Sequence, residues 1–407
     1  MPIARPFRAI RPAKNLVHLI VSRSYISYDD DALSHKLASN PFSFIHVINP
    51  DHGTDDAAPS GSKALFKRVR NKYIEFYRQH YFVQDEKPGF YIYRQRYDGK
   101  DFTGIICATA SKDYAEGRIK KHELTLTKRE KIFTEYLHTT GINAEPVLLS
   151  YPDDDYITEL IEHRMSKKPI YDFNTSDTMR HSLWAIDKPK EIEKVRDAFA
   201  QMDAFYIADG HHRTASSARL TAEENGGGFG EKEPHDFFMS YLVPSSQMHI
   251  EAFHRLIKLE GPMEEEEILK GLSKEFNVLE MVLAESPSHK GEFCMNIRGK
   301  WFRLLAKTPH EKLLDVQLCS DAILEPVFGI KDLRTDKRIS FMNGAKGIEP
   351  LSDEVSSGRA DVAIALYPVQ MDEIFEISDR GETMPPKSTW VEPKLRSAMT
   401  IYSLTKH

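Results

Sequence analysis

Asp209-Gly210-His211-His212-Arg213 puts a carboxylate, a glycine, two imidazoles and a guanidinium in consecutive positions. The apolar run Ala204-Phe205-Tyr206-Ile207 precedes it and a helical pattern from Thr214 to Glu224 follows, so the spacing predicts a strand, a glycine turn and the first turn of a helix. Such a turn suits the gripping of a phosphate. Amides at a helix N-terminus carry partial positive charge, so cationic side chains there are unfavourable by roughly 0.3–1 kcal/mol each unless an anion reverses the sign. A bound phosphate would gather the Gly210 backbone with His211, His212, Arg213 and Thr214 around one ligand. Asp209 could hold a metal ion beside that phosphate or simply cap the helix. A transition-metal site built from His211 or His212 with a distant His249 or His254 is disfavoured, since adjacent helical histidines point about 100° apart and rarely share a metal.

Three other segments carry candidate chemistry. Arg118-Ile119-Lys120-Lys121-His122-Glu123-Leu124-Thr125 packs cations beside a carboxylate; Lys121 could pair with phosphate and Glu123 could take a proton from a substrate hydroxyl, although charged connectors of this length are commonly solvated. Asp29-Asp30-Asp31 could chelate magnesium, but capping of the helix that follows explains these acids more cheaply. The proline-stiffened stretch Met384 to Ser397 could fix Lys387, Ser388 and Thr389 for an anion, or could be a rigid loop packing Trp390.

These residues need elements to position them. Short strands are expected at Leu16–Ser22 and Phe44–Ile48, and helices at 63–84, 127–141, 154–165 and 188–202. The clearest hairpin joins Phe90–Tyr97 to Phe102–Ala108 across Asp98-Gly99-Lys100, and a second joins Gly291–Ile297 to Trp301–Ala306. A strand at Asp236–Pro244 follows the turn's helix, and His249–Leu259 reads as an extension of the same sheet. Alternating helices and strands imply a mixed α/β fold, with one region over residues 1–258 and another over 259–407.

Composition bounds the function. A chain of 407 residues with 41% hydrophobic and 29% charged residues is an ordinary globular protein, and its net charge of -6 disfavours nucleic acid as the main partner. Cys107, Cys294 and Cys319 are too few and too scattered for a disulfide framework or a zinc knuckle, and read as core thiols. No apolar run reaches the roughly 18 residues needed to span a bilayer, and the first residues lack an apolar leader, so a cytoplasmic protein without membrane contact is expected.

Taken together, the ordered blocks resemble the domain-of-unknown-function family 1015. Phe7-Arg8-Ala9-Ile10-Arg11-Pro12 and Asn40-Pro41-Phe42-Ser43-Phe44-Ile45-His46-Val47 look like its opening blocks, His122-Glu123 with Thr125 like its His-Glu-x-Thr motif, and Asp209 to Arg213 like its hallmark. Arg338-Ile339-Ser340 with Gly344, and Pro385 with Lys387-Ser388-Thr389, resemble its C-terminal blocks. The turn is also similar to that of free-serine kinases of ParB and sulfiredoxin-like fold, which use ADP or ATP with magnesium. The resemblance implies a ParB/sulfiredoxin-like core with additional α/β elements. It further implies a nucleotide-dependent phosphotransferase acting on a small hydroxylated metabolite, with Glu123, Asp29 and Asp209 as catalytic candidates and Asp209 on Mg2+. Three departures stand out: Ile26-Ser27 precedes Tyr28-Asp29 where many members have a proline, Leu124 replaces an arginine, and Thr214-Ala215 replace an aromatic and an acid. The last departure removes a base from the helix and shifts that role to Glu123 or Asp29. The alternatives are a regulatory protein that binds nucleotide without transfer and, further off, a ParB-like DNA-binding protein or nuclease. The sequence leaves oligomeric state open.

Overall fold

Asp98 and Gly99 both take positive φ, 50° and 72°, the geometry of a type I′ turn whose twist matches the strands it joins. The hairpin they make lies inside a nine-stranded sheet of a computed structural model that describes residues 1–308 and 313–405. Its strands are β1 (Ala4–Arg5), β2 (Phe90–Tyr97), β3 (Lys100–Ala110), β4 (Ile119–Lys120), β5 (Val147–Tyr151), β6 (Tyr171–Asn174), β7 (Arg180–Ile186), β8 (Phe205–Asp209) and β9 (Phe237–Pro244). The order across the sheet is β4-β8-β5-β9-β3-β2-β7-β6, with β1 on β3. Pairing is mixed, since β8 runs parallel to β4 but antiparallel to β5. The fold is therefore mixed α/β, as the alternation of elements implied.

The longer helices of this part are α1 (Asp30–Ser39), α2 (Lys63–Arg78), α3 (Thr127–Thr140), α4 (Asp155–Met165), α5 (Pro189–Ala200) and α6 (His211–Glu224). Phe90, Ile92, Leu149, Phe205, Ile207 and Leu242 of the sheet form one core with Val195 and Phe199 of α5. A second core joins Val69, Tyr73 and Phe76 of α2 to Phe44, Ile142, Ala398 and Ile401. The helix after the turn, α6, buries a face of small polar residues rather than an apolar stripe. Its hydroxyls are satisfied within the helix: Ser216 donates to the His212 carbonyl at 2.6 Å and Ser217 to that of Arg213 at 2.9 Å.

Two expected strands are short helices, Val17–Ile20 and Ile45–Ile48. Both are short buried runs, for which apolar period alone does not separate strand from helix. The segment expected to extend the first sheet also differs. Phe253–Ile257 pairs instead with Ile339–Asn343 and Val362–Leu366 in a separate six-stranded sheet.

The contacts divide the chain into unit 1, residues 1–248 with 393–407, and unit 2, residues 249–392. Unit 2 holds β10 (Phe253–Ile257), β11 (Phe276–Met281), β12 (Glu292–Ile297), β13 (Lys300–Ala306), β14 (Ile339–Asn343) and β15 (Val362–Leu366), antiparallel in the order β11-β13-β12-β15-β10-β14. Its hairpin β12–β13 turns on Arg298 and Gly299, again both at positive φ. All three cysteines are buried thiols. Among the described residues, no helix is long and apolar enough to cross a membrane.

Candidate functional site

Parallel pairing of β4 with β8, in the register Ile119↔Phe205 and Lys120↔Tyr206, makes the two strands leave the sheet side by side. Lys121-His122-Glu123 emerges from one strand and Asp209-Gly210-His211 from the other. The His122 and His211 rings meet edge to face with centroids 4.5 Å apart, and Oε2 of Glu123 lies 3.6 Å from Nδ1 of His211. A register shift against β5 between Ile207 and Asp209 leaves Ala208 as an extra residue at the strand end, a bulge of the kind that re-aims side chains beside sites.

Gly210 is the N-cap of α6 with φ 102°, and no side chain caps the helix behind it. Arg213 folds back over the glycine. Its Nη2 reaches Oδ2 of Asp209 at 2.9 Å, its Nη1 reaches Oε1 of Glu145 at 2.9 Å, and Nη1 also donates to the Pro146 carbonyl. A Cβ on Gly210 would stand 3.2 Å from the guanidinium, so the glycine makes room for Arg213 as well as adopting a left-handed backbone. Thr214 is fully buried and its hydroxyl donates to the Gly210 carbonyl at 3.2 Å, which holds the turn closed.

The turn's electrostatics differ from the expectation of several cations at a positive helix end. Burial, reinforced by His122, His212 and Lys121, holds the His211 pKa well below its ordinary value. Burial likewise pushes His122 down to about 4 against an opposing pull from Asp209, and lowers His212 with Arg129 adding to the effect. The imidazoles are therefore neutral near pH 7, and Arg213 is neutralised by Asp209 and Glu145. The charge conflict read from the sequence is relieved by the fold itself. What remains is unmet hydrogen bonding: Nδ1 of His122, Nε2 of His211 and Nδ1 of His212 are buried with no hydrogen-bond partner among the described residues.

The basic block before the first histidine is mostly consumed by structure. Arg118 pairs with Asp113 at 2.6 Å while its carbonyl accepts from Phe205, and Lys120 and Lys121 lie 5.9 and 5.4 Å from the Tyr206 and Tyr114 rings. Thr125 donates to the Glu130 carboxylate at the start of α3, tying the His-Glu-x-Thr segment to that helix. Asp29 is the N-cap of α1 and accepts from the Ala32 amide at 2.8 Å, the capping role weighed above. Lys387, Ser388 and Thr389 belong to unit 2. There Lys387 has φ 60°, its carbonyl accepts from buried Arg255 at 3.2 Å, its ammonium lies 5.3 Å from the Phe253 ring, and the Ser388 hydroxyl donates to Pro385 at 2.6 Å.

Glu145 and the residues behind it were not singled out in the sequence. Besides Arg213, Glu145 accepts from the Ser397 hydroxyl at 3.4 Å, and Ser397 donates its amide to the Ser22 carbonyl at 2.9 Å. Arg396 and Arg23, the neighbours of that pair, both contact Asp177. Arg396-Ser397 lay within the C-terminal stretch already noted, but the residue types drew attention to Lys387 instead.

A magnesium ion fits this site only as a partner of bound phosphates. Among the described residues no group of three His, Cys, Asp or Glu is arranged to hold a metal by itself, whereas magnesium commonly takes one or two carboxylates plus phosphates and waters. Asp209, 42% exposed and facing the turn, is the carboxylate that would hold it.

A globular α/β protein whose candidate site is a glycine turn at a helix N-terminus describes a broad class. The family described as "Protein of unknown function (DUF1015)" matches residues 4–322, and the chain belongs to that family. No curated protein matches it. Similar solved structures include a free serine kinase in complex with AMP, 18% identical with a TM-score of 0.34 over 67% of this chain and 83% of that one. A conserved hypothetical protein from Pyrococcus furiosus is 17% identical with a TM-score of 0.35 over 70% and 92% of the two chains. SbnI with a C-terminal truncation, from Staphylococcus aureus, is 13% identical with a TM-score of 0.37 over 72% and 87%. Likeness at this level does not specify chemistry.

Proposed function

We propose that the turn from Asp209 to Arg213 binds the phosphates of a nucleoside polyphosphate such as ADP or ATP, and that the protein transfers the terminal phosphoryl group to a small hydroxylated metabolite. One observation carries the reading: the buried imidazoles of His122 and His211 and the partly buried one of His212 each hold a buried nitrogen without a hydrogen-bond partner among the described residues, at the uncapped N-terminus of a helix of 14 residues. Leaving a buried polar group unpaired costs roughly 1–3 kcal/mol, and a phosphate with several acceptor oxygens would take hydrogen bonds from those of these nitrogens that carry or take up a proton, together with the first amides of α6.

Phosphoryl transfer asks mainly for positioning and charge stabilisation. The backbone of Gly210, His211, His212 and Arg213 would hold the phosphate oxygens, with Lys121 adding positive field from the neighbouring strand end. Thr214 keeps the turn closed. Glu123 would accept the proton of the substrate hydroxyl as its oxygen bonds to the terminal phosphorus and the bridging P–O bond breaks, leaving the shortened nucleotide. Magnesium on Asp209 would supply charge neutralisation to the phosphates. Lys387, with Ser388 and Thr389, is proposed as an anion contact of unit 2, where Arg255 fixes the Lys387 backbone.

Calorimetric titration of ADP, ATP and CTP with magnesium into the wild-type protein and His212→Ala tests the assignment. Tight binding that weakens about tenfold or more in the variant supports it, and equal affinity would sink the turn as the phosphate site. Nucleotide binding with no phosphorylated product across a panel of hydroxylated metabolites would favour a regulatory role.

A further inference from the structure

Within unit 2, β14 is an edge strand: it pairs with β10 on one side, and among the described residues no strand pairs with the other. Two bonds set the phase of that ladder, from the Gly344 amide to the Ala252 carbonyl at 2.7 Å and from the Lys258 amide to the Arg338 carbonyl at 2.8 Å. Ser340 and Met342 therefore face β10, while Ile339, Phe341 and Asn343 turn their N–H and C=O groups to the open side. A cleft of about 830 Å³ lies there, lined entirely by residues of unit 2 and by every residue of β14. Five strand residues give it a length of about 17 Å at roughly 3.4 Å each, which suits an extended chain.

The cleft follows the edge itself. Cross-strand partners share a face, so Phe253 and Phe341 lie on one side of the sheet and Leu256 and Met342 on the other, and all four line it. One wall is aromatic: the Phe253 ring meets those of Phe341 and Trp390 edge to face, with centroids 6.5 and 5.4 Å away, and the Lys387 ammonium lies 5.3 Å from it. The other wall includes Pro350 and Asp353 of the helix Glu349–Ser356, whose Leu351 and Val355 share a core with Leu256. A strand laid between them would send its side chains alternately to each wall.

Charge selects the occupant. Lys346 and Lys387 line the cleft, exposed and without a salt bridge among the described residues, whereas Arg359 is held by Glu354 at 2.9 Å. Arg255 adds a cation behind the aromatic wall: it is fully buried, donates to the Phe253 and Lys387 carbonyls, and sets its guanidinium carbon 4.9 Å from the Phe341 ring. Burial pushes its pKa down to about 10, which leaves it charged at neutral pH. Against these three stands the exposed acid Asp353. Two copies paired edge to edge would set one excess of positive charge against another, so the charge favours an acidic partner over self-pairing.

We propose that the open edge of β14 takes up an extended acidic segment of another protein as an added strand, its backbone on Ile339, Phe341 and Asn343 and its carboxylates near Lys346 and Lys387. The site uses the anion contact given to Lys387 above but needs no nucleotide, so it stands or falls apart from the turn.

The probe is a fluorescently labelled heptapeptide that alternates glutamate with valine. Its controls carry lysine for glutamate, or N-methyl groups on the glutamate amides, or N-methyl groups on the valine amides. Anisotropy is read with the full chain as wild type, Asn343→Pro and Lys346→Gln. Asn343 has φ −72° and ψ 142°, which proline adopts without strain, and its N–H lies outside the ladder, so the proline removes an open donor and leaves β10 paired. Asn343→Pro should weaken the acidic peptide about tenfold while melting like the wild type and keeping its ADP affinity. Lys346→Gln should weaken it by a smaller factor, and the lysine peptide should not bind. Methylation should abolish binding on one alternate set of amides and spare it on the other, because only one set faces β14; this reads the same bonds should the proline variant melt early. The proposal is overturned if the acidic peptide does not bind, if the lysine peptide binds as well, if the two methylated peptides behave alike, or if a normally melting Asn343→Pro keeps full affinity. Dimerisation that Asn343→Pro abolishes, in a protein that ignores the peptide, would overturn it in favour of a second copy of this chain.

Discussion

Oε2 of Glu123 faces Nδ1 of His211 across 3.6 Å, and His211 is only 5% exposed while Glu123 is more than half exposed. A carboxylate at that edge of the ring favours the proton on Nδ1, so Nε2 carries a lone pair and can donate to a phosphate oxygen only after taking up a second proton. The contact couples a solvent-facing base to a buried ring.

The first prediction separates the two acids considered for the base. Glu123→Gln should reduce turnover with an identified acceptor by about 10²–10⁴-fold while leaving nucleotide affinity near wild type, the range for loss of a general base. Asp29→Asn should spare turnover, because Asp29 is engaged as a helix cap; Asp29→Ala should cost about 1 kcal/mol in urea denaturation. The reverse pattern would move the base to Asp29.

Anion binding should take up protons. The free imidazoles of His122 and His211 are held neutral by burial, and a phosphate beside them favours the charged form, so their pKa values rise on binding. ADP affinity should therefore tighten as pH falls from about 8 to 6. Calorimetry in buffers of different ionisation enthalpy should show net proton uptake that shrinks in His211→Asn.

Acid should destabilise the fold by a calculable route. The folded pKa of His122 is about 4 against an ordinary 6.5, so below pH 6.5 the unfolded chain binds a proton that the fold refuses. Stability is complete above about 6.5 and is lost as pH falls towards 4, by on the order of 3 kcal/mol for this residue. His181, held down to about 3, and His254 of unit 2, held down to about 4, act in the same direction. Urea midpoints measured across this window should fall with pH, and His122→Gln should flatten the fall.

Gly210→Ala should be harmful for two reasons that reinforce each other. A non-glycine residue at φ 102° is strained by about 1–3 kcal/mol, and its Cβ would push on the Arg213 guanidinium 3.2 Å away. The variant should lose melting temperature and nucleotide affinity together. Loss of neither would mean that the turn relaxes easily and that Arg213 is not held by it.

Local chemistry was legible in the sequence wherever one short segment decides its own shape. Asp98-Gly99 announced a hairpin and Gly210 announced a strand-to-helix turn, because both depend on backbone freedom that few residues have. Val17–Ile20 and Ile45–Ile48 were misread because tertiary burial, not period, chooses between strand and helix in runs this short. The neutrality of His211 was hidden as well, since it depends first on burial in the folded protein and then on the ring of His122 arriving from another strand. Glu145 has no local signature at all; it is engaged only once Arg213 folds back over the turn and Ser397 arrives from the far end of the chain.

Residues 393–407 belong to unit 1, although unit 2 separates them from the rest of it along the chain. Ala398 and Ile401 fill its second core, and Ser397 backs Glu145 beneath Arg213. During synthesis, then, the ribosome must make all of unit 2 before the turn from Asp209 to Arg213 receives its support. Until then unit 1 exposes an unfinished apolar core, the period in which a nascent chain depends most on protection from aggregation.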